Sequence, residues 1–133
     1  MLMKTPLKTA DQLGISDKVY KALLEVKHEF EAGNISPSQF CMAVVRTHPM
    51  ECGTIACIGG WVGIYMNLGV EATHKMVCSS YGPIRALYFP DRDKTFPICG
   101  KKDAYTASPT QAAQAIDNFL LTGEPKWDEV MEL

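Results

Sequence analysis

The chain has 133 residues, 47% hydrophobic and 21% charged, with thirteen basic against fifteen acidic residues and a formal charge of −2. That is the composition of one ordinary globular domain, 1–133, of a size that buries roughly 65–70% of the surface exposed by the unfolded chain. The richest basic stretch, 85–102, is interrupted by Asp91 and Asp93, so the electrostatic footprint of a nucleic-acid binder is missing and no nucleic-acid partner is expected.

Residues 1–15 read as an irregular lead-in. Ser16 supplies an N-cap oxygen, and Val19, Leu23, Val26 and Phe30 follow at helical spacing with Lys18, Lys21, Lys27 and Glu29 on the other side. Gly33-Asn34 ends that helix with residues that tolerate the left-handed conformation. Ser36-Pro37-Ser38-Gln39 and Ser108-Pro109-Thr110-Gln111 share the capping-box form, with proline at the first helical position and Gln at the third. The first predicts a short helix through Phe40, Val44 and Val45 to about Thr47, closed by His48-Pro49. The second predicts a helix with the stripe Ala112, Ala113, Ile116, Phe119 and Leu120, ending at Thr122-Gly123. Between them, 71–81 reads as a helix ended by Gly82, and 83–89 as a further turn or short helix. Residues 91–107, with Pro97, Gly100 and many charges, read as a loop. Short strands at 86–89 and 104–107, a β-hairpin within 86–107, are the alternative there. Beyond Gly123, Trp127 is placed to fold back onto the core.

The stretch 52–70 contains no charged residue. With Thr54 as N-cap, a helix over 54–68 sorts Ala56, Gly59, Gly60, Gly63 and Asn67 into one sector of roughly 100°. Ile55, Cys57, Ile58, Trp61, Val62, Ile64, Tyr65, Met66 and Leu68 fill the rest. Three interior glycines cost about 3 kcal/mol relative to alanine, which makes sense where something approaches the backbone closely. A packed neighbouring helix is the commoner occupant of such a flank and a flat ligand the rarer one. Thr54, Gly59, Gly60, Gly63 and Trp61 are therefore the candidate binding residues. Gly59-x-x-x-Gly63 also matches a transmembrane pairing pattern, but the polar Thr54 and Asn67 and the several glycines argue for a buried central helix. No membrane partner is expected.

Five cysteines, at 41, 52, 57, 78 and 99, form no CxxC pair, and 1–15 carries no apolar core of signal-peptide length. Reduced thiols in the cytoplasm are the expectation. Cys57 in the first turn of the central helix would feel the positive end of the helix dipole, with Cys52 nearby and His48 upstream as a base; buried cysteines acting as small apolar residues are far commoner. His48-x3-Cys52 and His74-x3-Cys78 are the metal candidates, although His-x3-Cys is not the paired-Cys or paired-His spacing of structural zinc sites. No cofactor is implied.

The segment Cys52-Gly53-Thr54-x-Ala56-Cys57-x-x-Gly60-Trp61 resembles one found in short uncharacterised proteins of bacteria and their phages. That group also tends to carry a Leu-Phe-x-Pro-like element, here Leu87-Tyr88-Phe89-Pro90, and an Ala-rich helix ending in Thr-Gly and a tryptophan, here 112–119, Thr122-Gly123 and Trp127. The resemblance implies a bacterial or phage setting and no mechanism. Together these readings predict a mainly α, compact bundle of four to six short helices around a buried helix at 54–68. The expected function is that of a non-enzymatic module binding a protein or small molecule, with a thiol enzyme using Cys57 or Cys52 and His48 as the alternative.

Overall fold

The computed structural model describes residues 7–41, 55–89 and 107–131. Among these, seven α-helices and one 3-10 turn build a mainly α fold: α1 (Ala10–Leu13), α2 (Asp17–Ala32), α3 (Ile58–Tyr65), α4 (Val70–Cys78), α5 (Pro83–Tyr88), α6 (Pro109–Thr122) and α7 (Trp127–Met131). None of the described helices is long and apolar enough to cross a membrane. The predicted lead-in contains α1, a single turn held by a capping box between Thr9 and Gln12 and closed by Gly14 in the left-handed region.

The two long amphipathic helices follow their caps. Ser16 Oγ accepts from Val19 N–H at the start of α2. At its end the Gly33 amide donates to Phe30 O and the Asn34 amide to Glu29 O, with Gly33 at φ +78°. Leu23, Val26 and Phe30 are buried, while Val19 is half-buried. In α6 the Ser108–Gln111 capping box is complete, Gly123 is left-handed at φ +88°, and Ala112, Ala113, Ile116, Phe119 and Leu120 are all buried. α2 packs against α6 on one side and α3 on the other, so its apolar stripe is shared between two neighbours. Lys27 of α2 spans the exposed edge of the first seam to Asp117 at 3.6 Å.

The segment after Ser36 differs from expectation. Its capping box forms, but only a 3-10 turn (Pro37–Gln39) follows, and Phe40 is already extended at φ −124°, ψ 128°. Two tertiary contacts take Phe40 away from a helix: a parallel bridge to Ala56, and an edge-to-face contact with Phe30 at 5.0 Å between ring centroids. The rest of the predicted helix, 42–47, lies outside the described residues. The 86–89 arm of the alternative hairpin is helical through Tyr88 in α5, while 104–106 and the loop at 91–106 lie outside the described residues.

The central helix is shorter than 54–68. Because Ala56 is paired with Phe40, 55–57 is not helical and Cys57, at φ −82° and ψ −174°, is the N-cap of α3. Thr54 lies outside the described residues. At the other end Asn67 adopts φ +62°; its amide donates to Ile64 O and the Leu68 amide to Gly63 O, both at 2.9 Å. This pair of bonds is a Schellman stop, so Asn67 ends the helix instead of extending its small-residue flank. What remains, Ile58 to Gly63, is buried throughout, and α3 is enclosed by α2, α4 and α5.

The glycine flank is filled by protein. A Cβ on Gly63 would meet Thr73 Oγ1 and Cγ2 at 2.5 Å and Thr73 Cβ at 2.9 Å. One turn earlier, a Cβ on Gly59 would meet Val77 Cγ2 at 2.7 Å and Tyr88 Cδ1 at 3.3 Å. Thr73 and Val77 are one turn apart on α4 and both fully buried, so two glycines on one helix receive two β-branched side chains from the next. Thr73 Oγ1 donates to Gly69 O at 2.7 Å, which satisfies its hydroxyl inside this contact. Gly63→Ala is expected to destabilise the protein by about 1–3 kcal/mol, overpacking outweighing the ~1 kcal/mol gain in helix propensity. Urea unfolding is the measurement, and Thr73→Ala added to Gly63→Ala should recover part of the loss, because the two nearest clashing atoms are then gone.

Candidate functional site

Trp61 is 8% exposed, and its indole N–H donates to Gln39 O at 3.1 Å. Gln39 O also accepts the Ala56 amide at 3.1 Å, so one carbonyl ties the 3-10 turn to the approach and first turn of α3. Trp61 lies 6.3 Å from the Tyr65 ring. Burial, with Glu29 and Glu25 of α2 nearby, raises the Tyr65 phenol above its ordinary value. Gly60 is buried and its amide donates to Cys57 Sγ at 3.4 Å. Gly59, Gly60, Gly63 and Trp61 thus sit together in the core, and the side of α3 offered by Gly59 and Gly63 is closed to a ligand by α4 and α5.

The cysteine candidates separate. Cys57 is 2% exposed, and burial pushes its thiol up from the usual value near 9 to about 11, outweighing the lowering effect of the Gly60 and Gly59 amides. The helix N-terminus that was expected to favour a thiolate is therefore overridden by desolvation, and Cys57 is a thiol at neutral pH. Cys52 and His48 lie outside the described residues. His74 and Cys78 are exposed on α4, and among the described residues no group of three His, Cys, Asp or Glu is placed to hold a metal.

Two features escaped the sequence reading. Tyr88 of α5 is 2% exposed, and its hydroxyl has no hydrogen-bond partner among the described residues. Burial, followed by the charge of Cys57, raises this phenol strongly. Its place in an apolar core next to Gly59 follows from long-range packing that no local pattern signals. The second feature is an open recess of about 210 Å³ where the start of α2 meets the turn between α4 and α5. Ile15, Val19, Met76 and Ile84 line it with apolar surface, and Ser16, Ser79, Ser80 and Tyr81 add polar groups; none of its lining residues is charged. Ser79 Oγ donates to Met76 O at 3.3 Å and Ser80 Oγ to Val77 O at 2.6 Å. Both hydroxyl protons are engaged by α4 carbonyls, so the oxygens face other groups as acceptors. Tyr81, between these serines and Gly82, is 83% exposed. The bare Ser-Ser-Tyr-Gly run was the available signal.

No protein-family model matches the chain, and neither a curated protein nor a solved structure does.

The Cys57 environment has a measurable pH signature. The folded protein holds the thiol proton to about pH 11 whereas an unfolded chain releases it near 9. The stability associated with the protonated thiol is therefore fully present below pH 9 and lost as the pH climbs through 11. Wild-type protein should lose about 2–3 kcal/mol more stability between pH 8.5 and 11.5 than Cys57→Ala, read from urea unfolding at each pH. At pH 7 iodoacetamide should label Cys78 and leave Cys57 unmodified until the protein unfolds.

Proposed function

We propose that the protein is a binding module whose contact surface is the recess between the α2 start and the α4–α5 turn. The single observation that carries this reading is Tyr81, 83% exposed at the rim of an uncharged, mostly apolar recess. A large aromatic side chain held at a surface with so little of it covered is the type of residue that anchors protein interfaces. At about 210 Å³ the recess is smaller than the ~300–1,000 Å³ of typical small-molecule pockets. Its size and lining suit one uncharged side chain of a protein partner, aliphatic or aromatic, with a donor directed at the Ser79 and Ser80 oxygens.

In the bacterial or phage setting implied by the Cys52–Trp61 resemblance, that partner is a host component. The alternative of a thiol enzyme draws no support from Cys57, which is buried and protonated at neutral pH. The test is retention from a bacterial host lysate on immobilised wild-type protein and on Tyr81→Glu, with bound proteins and metabolites both identified. Retention of a specific protein by the wild type, reduced at least tenfold by Tyr81→Glu while circular dichroism is unchanged, is expected. Equal retention by the two proteins, or recovery of a bound metabolite and no specific protein, contradicts the reading.

A further inference from the structure

The register of the Phe40–Ala56 bridge places two cysteines side by side. The Ala56 amide donates to Gln39 O and the Cys41 amide to Ala56 O, both at 3.1 Å, which is the hydrogen-bond pattern of a parallel pair with Phe40 opposite Ala56. The next residues along the two chains are Cys41 and Cys57. Cys57 is still extended before α3 begins, so the pairing direction is kept through its Cα. Because side chains alternate along extended chain, Cys41 and Cys57 project from the same face of this short ribbon. Neighbouring chains in such a pair run about 4.8 Å apart, inside the 4.4–6.8 Å Cα separation that a disulfide spans. A charge on Cys41 is also felt at the Cys57 thiol, as expected of near neighbours.

The two thiols differ in access: Cys41 is half-buried and Cys57 buried. We propose that Cys41 and Cys57 are a reversible redox pair, oxidised to an intramolecular disulfide by a low-molecular-weight disulfide such as glutathione disulfide. Cys41, the accessible partner, loses its proton to solvent and its sulfur attacks one sulfur of the oxidant. The oxidant's S–S bond breaks, and one glutathione leaves as a thiolate that takes up a proton. Cys57 then gives up its proton, its sulfur attacks the Cys41 sulfur of the mixed disulfide, and the second glutathione leaves. Two protein thiols are oxidised and one small disulfide is reduced to two thiols, so atoms and electrons balance. The product covalently joins the residue after extended Phe40 to the N-cap of α3, and it cross-links positions 41 and 57 of the chain.

The test is incubation of the native full chain with glutathione disulfide, quenching with acid, alkylation and peptide mapping by mass spectrometry. The expected result is a peptide pair linked through Cys41 and Cys57, lighter by two hydrogens than the reduced pair and restored by dithiothreitol. Cys57→Ala should stop at glutathione on Cys41, and Cys41→Ser should leave Cys57 as a free thiol. The oxidised wild type should melt roughly 10 °C higher than the reduced form, as for a clip of this loop length. Glutathione remaining on Cys41 of the folded wild type, an unreacted Cys41, or Cys41 linked to Cys52, Cys78 or Cys99 would each overturn the proposal. Because the mapping reads the unmutated protein, a variant that fails to fold does not remove the test.

Discussion

Gly59 and Gly63 stand one turn apart on α3, and Val77 and Thr73 stand one turn apart on α4 with their methyl and hydroxyl groups where glycine side chains would begin. That matching of two absences to two branched residues sets how closely α4 lies against α3. Glycine gives no side-chain burial and weakens an eight-residue helix that would not be stable alone. The helix persists because every residue from Ile58 to Gly63 is buried among α2, α4 and α5. Its geometry is therefore a consequence of tertiary packing. α5 is drawn into the same contact, since Tyr88 Cδ1 also lies against the Gly59 position.

The ends of α3 carry a second layer of control. At its start, the Gln39 carbonyl accepts both the Ala56 amide and the Trp61 indole N–H, and the Cys57 sulfur takes the Gly60 amide. At its finish, left-handed Asn67 turns the chain directly into α4, whose N-cap is Gly69. Further out, the Trp127 indole donates to Ala86 O at 3.1 Å, and the Tyr20 hydroxyl donates to Lys8 O at 2.8 Å. Both tails of the described chain are thereby pinned to the bundle by aromatic side chains with one polar atom each. Cys57, one of the residues that looked reactive in the sequence, is part of this framework as the N-cap of α3. An open, uncharged recess lies elsewhere, at the junction of α2 with the α4–α5 turn.

The parts legible in the sequence are those decided locally. α2 and α6 have a hydroxyl N-cap, a stripe at helical spacing and a glycine stop, and each signal points to the same answer. The fold-back of Trp127 and the small-residue packing of α3 were also readable, because size and polarity alone imply them. What was not readable depended on distant partners. The Ser36 and Ser108 capping boxes are nearly identical, yet one opens fourteen residues of helix and the other a single 3-10 turn. The difference is made by Ala56 and Phe30, sixteen and ten residues away from Phe40 in the sequence. The same bridge shortened α3 at its start, and Asn67 in the left-handed region shortened it at its end. α1 was missed because four residues show no periodicity, although Thr9-x-x-Gln12 carried its capping signature. The recess joins residues from 14–19 and 76–88 that no short motif connects.

Native-state amide hydrogen exchange, resolved residue by residue, tests most directly whether α3 owes its structure to enclosure by its neighbours. The amides of Trp61, Val62 and Met66 should exchange only through global opening, with the same free energy as the slowest amides of α2 and α6. Exchange of the α3 amides through a separate opening, well below the global value while α2 and α6 remain protected, would contradict the account.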